Sequence, residues 1–169
     1  MNYFELFDIP VSLHPDEKLV KQKFYALSRK YHPDFYSHAS GQEQADVLET
    51  SSEVNKAYKV FQNQDDTIKY LLQQKGLMQE EEKYELPPAF LMDMLELSEQ
   101  MMEAKVDDDG EAKTSVQKQI DNVLNEIYDP VQTTIENYRE GATTEKELLQ
   151  VKDYYYKKKY LNRILAGME

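Results

Sequence analysis

Few residues in this chain can form a sharp turn. Of its 169 residues, 5 are glycine and 6 are proline, about half the usual combined share of about 12%. A β-rich fold needs many tight turns, and these two residue types favour them strongly. Apolar residues instead recur every three or four positions along much of the chain, which is the period of an amphipathic helix. The sequence therefore predicts an all-α fold.

The N-terminal part of the chain is predicted to hold two longer helices between two short ones. A short apolar turn at residues 3–7 is too small to be stable in water unless it docks on the helices after it. Helices are expected over about 16–31 and about 42–62, followed by a short helix that ends at Gly76. The residues of the second long helix that we expect to face inward are Leu48, Val54, Tyr58 and Phe61.

The character of the sequence changes after residue 76. Residues 79–83 form a charge run that we expect to be solvated, and Pro87-Pro88 ends any preceding helix while starting a new one well. We predict domains at 1–76 and 88–169, joined by a linker at 77–87. The second domain is predicted as a three-helix bundle over about 88–106, 111–139 and 144–166, with Pro130 interrupting the middle helix.

Net charge and composition exclude several classes of function. The formal net charge is −12, which argues against general affinity for nucleic acid or an anionic membrane surface. Without cysteine there are no disulfides, thiol nucleophiles or zinc ribbons. No apolar run is long enough to span a membrane, and the first residues lack a basic segment. We therefore expect a cytoplasmic protein whose partners are proteins.

The helix predicted at 16–31 reverses the charge of the chain. It carries five basic and two acidic residues. A helical projection puts Lys18, Lys21, Tyr25 and Arg29 on one face, away from the apolar residues that start at Val20. From charge placement alone, a solvated face is the more common explanation. The competing interpretation is a docking face for an acidic partner.

The residues after this helix support docking. The sequence Arg29-Lys30-Tyr31-His32-Pro33-Asp34 resembles the hallmark of J-domain co-chaperones, which stimulate ATP hydrolysis by DnaK-type heat-shock chaperones. The resemblance implies a helical hairpin with short flanking helices as the N-terminal fold. It also implies that the chaperone is bound by Lys18, Lys21, Tyr25, Arg29, Lys30, His32, Pro33 and Asp34. The second copy of the tripeptide, His14-Pro15-Asp16, is explained by helix initiation.

A second candidate surface lies in the acidic segment at 79–110, which holds eleven acids and two bases. A helical projection predicts Phe90, Met94, Leu97 and Met101 as the buried stripe, with Leu91, Leu95 and Met102 on its shoulder. Met92 falls among glutamates. Either the stripe is wide and Met92 is a scattered surface residue, or these side chains form a protein-binding patch. In that patch Leu91, Met92 and Leu95 are the apolar centre, and Glu96 and Glu99 are the charged rim.

The last predicted helix has the opposite charge. Residues 152–163 hold five bases, one acid and four tyrosines. Antiparallel packing of this helix against the acidic helix at 88–106 would bring complementary charges together. The tyrosines have a simpler explanation, in which their rings pack and their hydroxyls stay in water.

Taken over the whole chain, the sequence resembles the HscB family of co-chaperones in iron–sulfur cluster biogenesis. The resemblance is carried by the N-terminal motif, the segment Ile68-Lys69-Tyr70-Leu71-Leu72 before Gly76, and the run Phe90 to Glu99. It implies partners of two kinds, a DnaK/HscA-type chaperone and an IscU-type cluster scaffold protein, and no cofactor. The scaffold-binding residues that it implies are Leu91, Met92, Leu95, Glu96, Glu99 and Tyr160, with Tyr156 as the alternative aromatic.

Two other functions are compatible with parts of the sequence. A general J-domain co-chaperone that delivers unfolded polypeptide shares the N-terminal motif, although this chain lacks a Gly/Phe-rich linker and a cysteine-rich client domain. A metalloenzyme would need to use His14, His32 and His38 with carboxylates. Their spacing matches no metal-binding motif, such as a histidine pair four residues apart on a helix.

Overall fold

The computed structural model describes residues 1–167, and every regular element in that range is helical. The eight α-helices are α1 (Tyr3–Phe7), α2 (Glu17–Lys30), α3 (Gly41–Phe61), α4 (Gln64–Gln74), α5 (Pro88–Val106), α6 (Gly110–Tyr128), α7 (Gln132–Glu136) and α8 (Glu145–Ala166). Short 3₁₀ turns lie at Pro33–Tyr36 and Asp129–Val131. The all-α prediction is confirmed.

Local signals in the sequence set the ends of these helices. Asp16 caps α2 by accepting a hydrogen bond from the Leu19 backbone N–H at 2.9 Å, as expected for the tripeptide His14-Pro15-Asp16. Thr144 and Glu147 form the capping box that starts α8. Pro130 interrupts the helix predicted at 111–139, since α6 ends at Tyr128 and α7 follows a 3₁₀ turn.

The N-terminal elements form a helical hairpin of α2 and α3 with α1 and α4 beside it. The ring of Phe24 on α2 stacks on Tyr58 of α3, with centroids 3.8 Å apart. Phe4 and Phe7 of α1 both pack against Phe61 with centroids 5.2 Å away. Docking on these rings is what allows a five-residue helix to persist.

One inward residue of α3 was predicted wrongly. Leu48 is 62% exposed, whereas its neighbour Val47 is buried. The buried line of α3 runs through Val47, Val54 and Phe61, which are seven residues apart and so lie close to one face. Leu48 is one residue, about 100°, away from that line.

The C-terminal helices α5, α6 and α8 enclose a second core. Its buried residues are Met94, Leu97, Met101, Val116, Ile120 and Leu161. The prediction that α5 and α8 pack antiparallel is wrong. Phe90 at the start of α5 lies beside Tyr160, with ring centroids 6.4 Å apart, and Lys105 at its end lies in the same groove as Arg163 and Gly167. The two helices therefore run in the same direction, as the first and third helices of an up-down-up bundle do.

The larger core crosses the predicted domain boundary. Ile68, Leu71 and Leu72 of α4 belong to the same buried cluster as Val151 and Tyr154 of α8. Around it, Lys158 of α8 pairs with Asp65 of α4 at 2.8 Å, and Lys75 pairs with Glu140. The division at 77–87 stays a prediction from the sequence, but the residues on its two sides share one apolar core.

The predicted linker is held against α8. Met78 is buried, and Glu82 accepts hydrogen bonds from Lys152 Nζ at 2.8 Å and from the Tyr156 hydroxyl at 3.2 Å. Tyr84 stacks on Tyr156, with centroids 4.5 Å apart. The expectation of a fully solvated charge run at 79–83 is therefore wrong for Glu82. The sequence pattern could not show this, because the partners of Glu82 lie about 70 residues away.

Within residues 1–167, none of the helices combines the length and the apolar content needed to cross a lipid bilayer.

Candidate partner-binding surfaces

The loop after α2 has a fixed shape built from local hydrogen bonds. His32 is extended, with φ −71° and ψ 127°, as expected for a residue before proline. Its Nδ1 accepts a hydrogen bond from the Asp34 backbone N–H at 3.2 Å, and Pro33 takes the first position of the 3₁₀ turn. The Asp34 carboxylate lies 3.6 Å from His32 Nδ1 and is exposed. The tripeptide thus presents a carboxylate on a backbone that has little freedom left to lose.

The same turn continues into two aromatic residues that the sequence prediction did not use. The Tyr36 hydroxyl donates to the Lys30 carbonyl at 2.9 Å, which ties the turn back to the end of α2. Phe35 is 74% exposed, and its ring meets His32 edge-on, with centroids 6.0 Å apart. Helical periodicity cannot predict the exposure of a loop residue. The sequence indicated these two residues only as an aromatic pair directly after Asp34.

The structure brings part of the predicted chaperone-binding set together. A groove of about 440 Å³ is lined by Tyr25, Ser28, Arg29, His32, Asp34 and Phe35. Lys18, Lys21 and Lys30 are exposed on α2 outside this groove. Arg29 and Lys30 belong to the last turn of α2. The result is a cationic helix face that leads to an apolar groove with a carboxylate at its edge.

The second candidate surface is the outer face of α5. Met94, Leu97 and Met101 are buried, whereas Leu91, Met92 and Leu95 are 38%, 68% and 52% exposed. Of the predicted buried stripe, only Phe90 is partly exposed. Glu96 and Glu99 are exposed on the same helix. Large apolar side chains exposed side by side on one helix are typical of an interaction surface.

The exposed apolar side chains continue along α5 beyond the predicted patch. Met102 and Val106 are both exposed, and their positions 11 and 15 residues after Leu91 return to nearly the same side of the helix. We call Leu91, Met92, Leu95, Met102 and Val106 the α5 row. The exposed side chains of Glu96, Glu99 and Glu103 lie on the same helix beside it.

The two candidate tyrosines of α8 have different surroundings. Tyr156 stacks on Tyr84 and donates to Glu82, so it holds the linker. Burial, reinforced by the hydrogen bond to Glu82, raises its pKa to about 12. Tyr160 is partly exposed, lies beside Phe90 and lines grooves on both of its sides.

The expected charge complementarity between α5 and α8 is absent. In the described part of the chain no ion pair joins the two helices. A cation–π contact does, with Lys157 Nζ 5.5 Å from the centroid of the Phe90 ring. The bases of α8 pair elsewhere, with Lys152 on Glu82 and Lys158 on Asp65. Burial lowers the pKa of Lys158, but the hydrogen bond and charge of Asp65 outweigh this and raise its pKa overall.

The three histidines do not form a metal site. Across residues 1–167, no group of three or more His, Asp and Glu side chains is arranged to hold a metal ion. His32 is committed to the loop by its contact with the Asp34 backbone. The geometry therefore gives no support to a metalloenzyme that uses His14, His32 and His38.

Comparison with known proteins gives the family. The sequence profile described as the HSCB C-terminal oligomerisation domain matches residues 86–169. The co-chaperone protein HscB homolog of Neisseria meningitidis serogroup C is 33% identical over 119 residues, which are 70% of this chain and 72% of the relative. The chain belongs to the HscB family.

Other HscB proteins agree with this assignment. The HscB homolog of Vibrio vulnificus is 34% identical over 113 residues, and this match spans 66% of each protein, just under two thirds of the relative. The crystal structure of human co-chaperone protein HscB superimposes with a TM-score of 0.80 at 25% identity, covering 99% of this chain and 80% of the human chain. The predicted architecture, an N-terminal J-domain followed by a C-terminal helical domain, is confirmed.

Proposed function

We propose that this HscB-family protein stimulates ATP hydrolysis by a DnaK/HscA-type chaperone and delivers an IscU-type iron–sulfur cluster scaffold protein to it. The observation that carries the proposal is the loop at His32, Pro33 and Asp34. It presents an exposed carboxylate on a backbone held by its own hydrogen bonds. Hydrolysis itself is then chemistry of the partner, and cytoplasmic location stays a prediction from the sequence.

The basic face of α2 and the loop act on the chaperone in different ways. Lys18, Lys21 and Arg29 are exposed cations that attract an acidic surface over several ångströms and speed encounter. Asp34 acts at short range. A ligand shifts a conformational equilibrium only through contacts that differ between the states, so Asp34 and His32 must contact the chaperone differently in its hydrolysis-competent form.

The α5 row binds the scaffold protein in this proposal. Its apolar centre is exposed at Leu91, Met92 and Leu95, with Glu96 and Glu99 beside it and Tyr160 across the edge of α8. Methionine and leucine side chains adapt to a partner surface, and acidic groups at the rim set orientation more than affinity. Binding the scaffold here raises its effective concentration at the chaperone without any further contact.

The shared core supports delivery by a single rigid body. α4 packs directly on α8, and the linker is held by Glu82 and Tyr84. The scaffold is then presented to the chaperone at a fixed distance and orientation rather than on a flexible tether. A fixed geometry saves the ordering cost that a flexible linker would add to each encounter.

The test uses the two copies of the tripeptide as test and control. His32→Gln should abolish stimulation of the chaperone ATPase while scaffold affinity stays within twofold of the unaltered protein. His14→Gln makes the same chemical change in an exposed histidine at the other end of α2 and should leave stimulation intact. Equal loss with both substitutions, or full stimulation with His32→Gln, would overturn the proposal.

A further inference from the structure

The basic side chains near the end of α8 fall into two groups. Lys152 pairs with Glu82, Lys157 with Asp153 and Lys158 with Asp65, each at 2.8 Å. Lys159 and Arg163 are exposed and form no ion pair with any other residue between 1 and 167. Lys152 and Lys158 join α8 to the linker and to α4, and Lys157 pairs within α8. The second group is available to a partner.

Lys159 and Arg163 lie in a groove between the linker and α8. The groove has a volume of about 630 Å³, and its lining includes Tyr84, Leu91, Tyr156, Lys159, Tyr160 and Arg163. Glu82, Lys83 and Glu85 line it as well; Glu82 is paired with Lys152, and the charges of Lys83 and Glu85 offset each other. Tyr84 and Tyr156 are stacked there and fixed by hydrogen bonds to Asp153 and Glu82. This part of the groove is therefore already in place before a partner arrives. Because Leu91 also lines it, the groove continues directly from the α5 row.

A second groove lies on the other side of the same two residues. It measures about 380 Å³ and is lined in part by Met102, Lys105, Tyr160 and Arg163. Tyr160 and Arg163 line both grooves. Together the grooves form a cationic strip, made of Lys105, Lys159 and Arg163, along one side of the α5 row.

Opposite charges therefore flank the α5 row without neutralising each other. Glu96 and Glu99 are exposed on α5, the strip carries three bases, and no ion pair connects α5 with α8 among residues 1–167. The net charge of the chain is −12, so acidic side chains are plentiful. Lys105, Lys159 and Arg163 nevertheless form no ion pair with any of them among residues 1–167. Their separation leaves both charges free to be matched by a partner surface, and complementary charge is how interfaces fix orientation.

We infer that Lys105, Lys159 and Arg163 bind an acidic segment of the same scaffold protein that contacts the α5 row. This rests on the proposed function, because the occupant is that scaffold protein. Arg163 lies at the centre of the strip, where its planar guanidinium group can receive a carboxylate through two parallel hydrogen bonds. Lys105 and Lys159 act on either side as point charges. The scaffold is then held by a basic region against Glu96 and Glu99 and by an acidic region in the grooves.

The experiment is titration calorimetry of the IscU-type scaffold protein with full-length variants. Lys159→Glu with Arg163→Glu should weaken binding by about tenfold or more, since charge-assisted contacts become repulsive. Lys118→Glu with Lys146→Glu changes the net charge by the same amount at exposed positions outside the strip and should change affinity less than about twofold. The neutral pair Lys159→Gln with Arg163→Gln should give a smaller loss in the same direction and a weaker dependence on salt.

The outcomes separate this inference from the function on which it rests. If the strip variant binds like its control while Met92→Ala with Leu95→Ala loses affinity, the acidic-segment inference is wrong and the α5 row still binds the scaffold. If neither pair changes affinity, the proposed scaffold surface itself is wrong. Helical content measured by circular dichroism should match the unaltered protein, because both strip residues are exposed; if the glutamate pair unfolds, the glutamine pair decides.

Discussion

The two partner surfaces are built in different ways. The loop at His32 takes its shape from hydrogen bonds between residues two and six positions apart. The surface around the α5 row joins Leu91 to Tyr160, which are brought together by the packing of α5 and α8. The first surface depends on local sequence and the second on the tertiary fold. A change in the core should therefore damage the scaffold surface more directly than the chaperone loop.

A substitution in the shared core tests whether both surfaces belong to one cooperative unit. Ile68 is fully buried in the core that α4 and α8 share. Ile68→Ala should lower the free energy of unfolding by about 2–5 kcal/mol, from lost apolar burial and the cavity left behind. Urea denaturation followed by circular dichroism should show one unfolding transition in the Ile68→Ala variant and one in the unaltered protein.

The control is Leu149→Ala, which removes an exposed apolar side chain of α8 and should change the free energy of unfolding by less than about 0.5 kcal/mol. Two separate transitions, with only the earlier one shifted by Ile68→Ala, would mean that the predicted domains at 1–76 and 88–169 unfold independently despite their contact.

The second prediction separates the two surfaces by affinity. Met92→Ala with Leu95→Ala removes the most exposed part of the apolar patch and should weaken scaffold binding by about 1–3 kcal/mol if these residues are hot spots. Chaperone ATPase stimulation measured without scaffold should not change. Leu149→Ala truncates an exposed leucine of α8 outside both surfaces and serves as the control in both assays; unchanged scaffold affinity in the α5 variant would remove the patch assignment.

The third prediction concerns salt. Contact through Lys18, Lys21 and Arg29 is electrostatic between exposed groups, so chaperone binding should weaken steeply between about 0.05 M and about 0.5 M salt. Scaffold binding by the Lys159→Gln/Arg163→Gln variant, which keeps the α5 row, should weaken less, because apolar burial is not screened. Lys21→Gln with Arg29→Gln should flatten the salt dependence of chaperone binding, as measured by surface plasmon resonance. Equal salt dependence of the two interactions would contradict the division into a cationic and an apolar surface.

The smallest effect is expected at alkaline pH. Burial, with the hydrogen bond to Asp153, raises the pKa of Tyr84 to about 12, and the pKa of Tyr156 is raised similarly. The unfolded chain loses these protons near pH 10 and the folded chain only near pH 12. Their contribution to stability is therefore complete below pH 10 and is lost as the pH rises towards 12. Tyr84→Phe should reduce the loss of unfolding free energy over that interval, measured by urea denaturation; an unchanged loss would contradict the linker contact.

Local signals made much of the fold predictable. The ends of α5 follow from Pro88 and the acidic run before Gly110, and the break after Tyr128 follows from Pro130. The shape of the tripeptide loop is predictable for the same reason, since proline fixes its own φ and restricts the residue before it. Exposure of Met92 was predictable as well, because a helical projection places it among glutamates.

Relations between distant segments were not predictable. A helical period gives the buried face of a helix but neither its neighbour nor its direction, so it could not show the parallel packing of α5 and α8. The pairing of Glu82 with Lys152 has no local signal, since a solvated glutamate and a paired one look alike in sequence. Leu48 was predicted to face inward because it is apolar. Val47 beside it is apolar too, and the type of residue does not show which of the two faces the core.

Delivery of the scaffold requires that one molecule engages both partners at once. The direct measurement is the steady-state chaperone ATPase rate in the presence of scaffold, with His32→Gln and Met92→Ala/Leu95→Ala variants mixed in one sample. Each variant keeps one functional surface, so the mixture contains both surfaces but never on the same chain. We predict that the mixture stays well below the rate of the unaltered protein. Full restoration of that rate by the mixture would contradict this requirement.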